Sequence, residues 1–188
     1  MDKNMDSYET TIKSEQIYDG KILSLKVDTV ELPDKKYSKR EIVEHKKGVG
    51  IIAFDGEDSL YLVRQYRKAI DTYTLEIPAG LVDANEVPID AAKRELQEEI
   101  GFFPEDIEYL FDMHSSPGFT NDKLSFFIAK DLRESELEQD EDEFVERLSY
   151  KIDDLFNMVQ NGEITDAKTI IGIMYAMKIR NENNEAKD

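Results

Sequence analysis

The sequence predicts an α/β (α+β) protein, strand-rich over its first part and helical at its end, with a small antiparallel β unit at the N-terminus. Three observations carry this. Short apolar runs separated by Gly, Pro and Asp turn signals recur from Ile12 to Pro78. Apolar residues then switch to helical spacing at Ile89, Ala92, Leu96 and Ile100, and two further helical stretches close the chain. Hydrophobic residues make up 40% of 188 and aromatics 10%, which suits one compact folding unit with an appendage and exceeds what a charge-expanded disordered chain carries.

The elements follow in order. Between Ile12 and Glu44, Ile22, Leu23, Leu25, Val27, Val30 and Leu32 supply the apolar positions of short strands, broken at Asp19-Gly20 and Pro33-Asp34. This antiparallel unit is assigned residues 1–46, and the composition shifts at Lys46-Lys47-Gly48, where a second domain, residues 47–188, begins. Val49 to Phe54, an Asp55-Gly56 turn and Leu60 to Val63 read as a hairpin. Thr74 to Pro78 is strand-like until proline, lacking an amide hydrogen, ends pairing and starts a loop. A helix is expected from Pro88, tolerated in a first turn, to Ile100, with Gly101 as its stop. Ile107 to His114 and Leu124 to Ala129 are strand candidates around Ser116-Pro117-Gly118, and Glu134 to Glu146 reads as exposed acidic loop. Ile152 to Gln160 and Ala167 to Arg180 read as helices, followed by a frayed tail from Asn181 to Asp188.

Charge narrows the partners. With 24 basic and 42 acidic residues the net charge is −18, which repels polynucleotides and anionic membranes, so neither is expected as a partner. The same field repels a small phosphate compound unless arginines or a bound cation invert the local sign. The chain has no cysteine, which excludes disulfides, thiolate nucleophiles and sulfur-based zinc sites. The first nine residues lack the apolar run of a signal peptide and no stretch is long enough to span a bilayer, so a cytoplasmic location is expected.

Arg94-Glu95-Leu96-Gln97-Glu98-Glu99 places three glutamates in the last turns of the middle helix. Carboxylates there oppose the helix macrodipole by about 0.3–1 kcal/mol each when exposed, and Glu95 and Glu99, four residues apart, repel one another. At about 100° per residue these two sit near the edge of the Ile89–Ala92–Leu96–Ile100 stripe and are partly shielded from water. Such a cluster takes up protons, pairs with arginine, binds a hard cation through oxygen, or is simply a solvated acidic face.

A larger pattern decides among these. Gly80, five residues, Glu86, seven residues, Arg94-Glu95-Leu96, one residue, Glu98-Glu99, one residue and Gly101-Phe102 form a 23-residue stretch that resembles the Nudix hydrolase signature at every specified position. The resemblance implies a Nudix α/β/α sandwich around a mixed sheet, and hydrolysis of a nucleoside diphosphate linkage with a divalent metal, magnesium or, as a substitute, manganese. It implies Glu95 and Glu99 as metal ligands, Glu98 joining them directly or through water, and the Ala79 carbonyl completing the set. Arg94 is placed with the catalytic residues, pairing with a carboxylate of the cluster, and Glu86 as an orienting residue.

From about Ile12 to Arg180 the chain resembles the ADP-ribose pyrophosphatase subgroup. The features are Leu75-Glu76-Ile77-Pro78-Ala79-Gly80, Pro117 standing 16 residues after Gly101, and the acidic stretch Asp140-Glu141-Asp142-Glu143-Phe144-Val145. The last implies Glu141 as catalytic base and Glu143 as a further metal ligand, and with five acids between Glu138 and Glu143 either assignment could slip by one or two positions. Arg40, Arg64, Arg67, Glu76 and Pro117 are the substrate-contact candidates, with ordinary ion pairing or a turn proline as the alternative. Tyr37, Tyr66 and Phe119 are candidates for stacking on adenine. The subgroup implies cleavage of ADP-ribose to AMP and ribose 5-phosphate by a homodimer whose N-terminal β unit crosses to the partner and contributes to its substrate pocket. Lys123, where relatives more often carry an acid, leaves fine specificity open. Sugar nucleotides, dinucleoside polyphosphates and NADH are alternative substrates, and a nucleotide sensor that does not cut is the alternative from another class.

Overall fold

The computed structural model describes residues 8–135, 137 and 144–185, which form two compact units. The first comprises Met1–Lys47 and His114–Lys123, the second Gly48–Met113 and Leu124–Asp188.

In the first unit, β1 (Thr10–Asp19), β2 (Leu23–Glu31) and β3 (Tyr37–His45) make a three-stranded antiparallel sheet in sequence order. Both expected turns are present. Gly20 donates to the Leu23 carbonyl at 3.0 Å, and Lys35 takes a φ of 67° beside Pro33-Asp34, its amide donating to the Leu32 carbonyl at 2.9 Å. β2 and β3 pair without a break from Leu23↔His45 to Glu31↔Tyr37, while β1 carries two register irregularities. The segment His114–Lys123 hydrogen-bonds to β3: the Val43 amide donates to the Phe119 carbonyl at 2.8 Å, and the His45 amide to Asn121 Oδ1 at 2.8 Å.

The second unit is built on a seven-stranded mixed sheet. Its path is β10 (Val145–Lys151), β5 (Ser59–Arg67), β4 (Gly48–Asp55), β9 (Lys123–Glu134) and β8 (Phe102–His114), with β6 (Thr72–Glu76) on β5 and β7 (Ala79–Leu81) on β4. β4 and β9 run parallel; the other registered pairs are antiparallel. β4 is buried from Gly48 to Phe54 because helices cover both faces, the setting in which a strand reads as continuous hydrophobic sequence. Its alternate residues enter two cores. Val49, Ile51 and Ala53 pack with Phe127, Ala129 and the α1 (Pro88–Glu99) residues Ala92 and Leu96. Ile52 and Phe54 pack with Leu60, Phe126 and Ile128 against Leu155 of α2 (Ile152–Gln160) and Ile173 of α3 (Ala167–Glu185). Each fully buried Leu or Ile here contributes about 1.5–3 kcal/mol. Helix, sheet and helices thus form the expected α/β/α sandwich.

Five elements differ from the sequence reading. Pairing resumes after Pro78 as β7, because Val49 and Gly50 offer partners to Gly80 and Ala79. β8 and β9 are longer than the apolar residues suggested. Val145–Lys151, read partly as acidic loop, is β10, an edge strand whose charged residues suit that position. α3 runs through Asn181 to Glu185 instead of fraying, tied down by Arg180 to Asp153 at 2.7 Å and by the Lys178–Glu182 pair. Among the described residues, no helix is long and apolar enough to cross a membrane.

Candidate active site

Helix α1 sets the geometry. Pro88 opens it after Val87 in extended conformation, and it closes at Ile100, whose amide donates to the Leu96 carbonyl, before Gly101 at φ 76°. No basic residue stands in the last turn, so the three glutamates lack the usual counter-charge along the helix axis. Arg94 supplies it from one turn back. Its Nη1 donates to Glu95 Oε1 and Glu98 Oε2, each at 2.8 Å, and its Nε and Nη2 fork onto Glu86 at 3.1 Å. Nη2 also donates to the Leu81 carbonyl at 2.9 Å, tying α1 to β7. The hydrogen bonds donated by Arg94 hold the Glu86 carboxyl below its ordinary value, and the same bonds accepted by Glu86, against the effect of burial and with the help of Glu95 and Glu98, hold Arg94 firmly charged.

Glu95 and Glu99 are 7% and 5% exposed, deeper than the partial shielding expected from the helical stripe. Glu99 Oε2 accepts the Ala79 amide at 2.9 Å. Gly80, one residue on, faces Glu95 so closely that a Cβ there would overlap the carboxylate. The structure therefore brings Ala79, Glu95, Glu98, Glu99 and Arg94 together, the contact of Ala79 being made by its amide.

The donor set has the chemistry of a hard divalent cation site: oxygen only, with Glu95 and Glu99 buried, and with four carboxylates, Glu86, Glu95, Glu98 and Glu99, around the single guanidinium of Arg94. Among the described residues no three acidic or imidazole groups stand in cation-holding geometry, and Glu95 and Glu98 are each bonded to Arg94.

A second cluster adjoins the Glu76–Gly80 segment. Arg67 on β5 forks onto Glu76 with two bonds of 2.7 Å, Thr74 Oγ1 donates to Glu76 Oε1 at 2.5 Å, and Lys168 of α3 pairs with Glu76 Oε2. Glu76 is 2% exposed, and burial alone would raise its pKa; the Arg67 bonds, the Lys168 charge and Thr74 outweigh that and hold it at about 2. Arg67 is pushed up by the Glu76 bonds and stays charged, its side chain 40% exposed to a cleft of about 380 Å³ lined by Ile70, Thr74, Asp166 and Lys168. A larger cavity, about 630 Å³, lies at the far end of β4 by Asp55, Tyr61, Lys130 and Arg180, away from the carboxylates.

Arg64 sits over the Tyr73 ring at 4.1 Å and pairs with Glu146 at 3.3 Å on an exposed face of β5. Tyr66 is exposed and bonded to Asp71. Arg40 belongs to the first unit and forks onto Glu9 at 2.5 and 2.9 Å. Pro117, in the same unit, sits in a turn where the Ser116 carbonyl accepts the amides of Phe119 and Thr120. Glu141 and Glu143 lie outside the described residues. Lys168 and Thr169 were not anticipated; the sole sequence signal at that place is Asp166, a helix-capping residue type before an apolar stretch.

The chain is similar to known proteins over most of its length. The family model described as NUDIX domain matches residues 44–171, and that of the nucleoside diphosphate sugar hydrolase N-terminal domain matches residues 9–43. A methanol dehydrogenase activator of Bacillus methanolicus is 41% identical over 169 residues, 89% of this chain and 91% of that protein. An ADP-ribose pyrophosphatase of Bacillus subtilis is 40% identical over the same shares of the two chains. The crystal structure of an ADP compounds hydrolase superposes with a TM-score of 0.84 over 93% of this chain and 95% of that one, at 22% identity, a likeness of fold. With its signature on α1, its sandwich architecture and a family model covering more than half of its length, the chain belongs to the Nudix family.

Proposed function

We propose that this protein is a cytoplasmic, magnesium-dependent hydrolase that cleaves ADP-ribose to AMP and ribose 5-phosphate, with manganese able to replace magnesium. The observation that carries the reading is the buried pair Glu95 and Glu99 set against Ala79 and Gly80, with Arg94 binding Glu95 and Glu98. The similarity to ADP-ribose pyrophosphatases of Bacillus subtilis and, at 34% identity, Mycobacterium tuberculosis supports this choice of substrate.

Glu95, Glu98 and Glu99 with the Ala79 carbonyl, joined by Glu143, would hold the metal. When bound, the metal neutralises diphosphate charge and acidifies water. Glu141 or a neighbouring acid takes a proton from the attacking water, whose oxygen bonds to phosphorus as the bond to the bridging oxygen breaks and the electron pair leaves with the departing phosphate. Arg67, charged and half-exposed at its cleft, steadies the diphosphate oxygens, with Arg40, Arg64, Glu76 and Pro117 as further substrate contacts. Arg94 keeps its carboxylates ionised and oriented.

Two copies are proposed to pair through the N-terminal β unit, residues 1–46, which serves dimerisation and the partner's substrate pocket, while residues 47–188 carry the hydrolytic machinery. The exposed Ile12, Ile17, Tyr18 and Ile22 of that unit are apolar surface that pairing would cover. Sugar nucleotides are the second reading, favoured by the family of residues 9–43.

The test is steady-state release of AMP from ADP-ribose with and without magnesium, beside a panel of sugar nucleotides, dinucleoside polyphosphates and NADH. ADP-ribose is expected to lead the panel, with chelation abolishing turnover and Glu99→Gln lowering it by orders of magnitude in a folded protein. Similar rates across the panel would remove the ADP-ribose assignment, and unchanged turnover in Glu99→Gln would remove the ligand role. Light scattering during size-exclusion chromatography reads the assembly, and a monomer mass would contradict the paired form.

A further inference from the structure

We propose that the first turn of α3, through Thr169 and Lys168, is a positioning element for the hydrolytic site, acting through the segment Glu76–Gly80. The proposal rests on the hydrolytic reading above and adds residues 70 positions beyond the signature helix.

The argument follows the bonds made by that segment. Its C-terminal end faces the carboxylates: the Ala79 amide reaches Glu99 at 2.9 Å, and Gly80 lies against Glu95. Where the segment stands therefore decides where those carboxylates stand. From the opposite side it is gripped by α3. Thr169, fully buried, accepts the Ile77 amide on Oγ1 at 2.8 Å and donates the same hydroxyl to Asp166 Oδ2 at 2.6 Å. Asp166 caps the helix by accepting the Thr169 amide at 2.9 Å on the same Oδ2, so the acceptor that orients the hydroxyl is itself fixed to the helix start. Lys168 holds the neighbouring Glu76 carboxylate while also meeting Asp166 at 3.2 Å. Gly172, one turn on, lets Ile77 sit flush: a Cβ there would come within 3.3 Å of the Ile77 side chain.

Three points of the segment, the Glu76 carboxylate, the Ile77 amide and the Ile77 side chain, are thus registered to one helix, and beyond Pro78 the residues Ala79 and Gly80 face the carboxylates. A hydroxyl that both accepts and donates is required at position 169. Valine matches the shape and does neither; serine does both.

The experiment uses the full chain with Thr169→Val, Thr169→Ser and Lys168→Met, each assayed for ADP-ribose hydrolysis with magnesium and for amide hydrogen exchange at Ala79. Thr169→Val is expected to lose at least about tenfold in kcat with KM within about twofold, as misplacement of catalytic groups does, and to speed exchange at Ala79. Thr169→Ser is expected to restore both. A folded Thr169→Val with wild-type kcat and wild-type Ala79 exchange would overturn the proposal, as would a serine variant as impaired as the valine one. If Thr169→Val does not fold, Lys168→Met decides by the same two readouts, with a kcat loss and faster Ala79 exchange supporting the proposal and wild-type values overturning it. Should the wild type prove inactive on every nucleotide tried, the hydrolytic reading fails, while Ala79 exchange still reports on the positioning.

Discussion

Gly80 and Glu95 leave no room for a methyl group between them: a β-carbon added to Gly80 would fall on the Glu95 carboxylate. The carboxylate would have to shift, and it is enclosed and bonded to Arg94 at 2.8 Å. Gly80→Ala is therefore expected to displace Glu95 and reduce turnover by about a hundredfold, the scale of a misplacement of about 1 Å in a catalytic group. Steady-state kinetics with a thermal melt checks this, and an alanine variant of normal activity would show that Glu95 is free to move.

Arg94 serves three carboxylates and the Leu81 carbonyl with one planar fork. Lysine keeps the charge but cannot span four acceptors. Arg94→Lys is expected to lose about 1–3 kcal/mol in urea unfolding, the range for hydrogen bonds to charged groups, and most of the turnover. Equal stability of the two proteins would mean that the cluster is held by other contacts.

Acid stability should report on Glu76. A carboxyl group held below its ordinary pKa in the folded chain favours the folded state above that ordinary value, and the effect is lost as pH falls through the folded value. For Glu76 the window runs from 4.5 down to about 2. Glu76→Gln is expected to be less stable than wild type at neutral pH, and the gap should narrow as pH drops through that window. Parallel curves of urea midpoint against pH would assign the acid sensitivity to other groups.

Divalent cations should stabilise the fold by binding the native state alone. Titrating magnesium is expected to raise the thermal midpoint of the wild type and to leave that of the Glu95→Gln, Glu99→Gln double variant unmoved. A parallel rise in both would place the ion elsewhere.

Much of this was legible in the sequence because the determining signals are local. The repeat Ile89, Ala92, Leu96, Ile100 with Pro88 and Gly101 at its ends marks α1 to within a residue. The glutamate spacing on it places Glu95 and Glu99 together. What escaped reading depends on contacts distant along the chain. Lys168 meets Glu76, and Thr169 meets Ile77, each across 92 positions, and no periodicity encodes such pairs. β10 was hidden because an edge strand carries charges on a pattern that reads as loop, and β7 because its pairing partners lie on β4. The acidic residues Glu141 and Glu143 rest on resemblance, outside the described residues.

β4 sends Ile51 into the α1 core and Ile52 into the core beneath α2 and α3. Neither layer can loosen without dragging on the same backbone, so loss of packing on one face is transmitted to the other. Heat or denaturant should accordingly melt this unit in a single cooperative step, with a probe on α1 and a probe on α3 tracing the same curve.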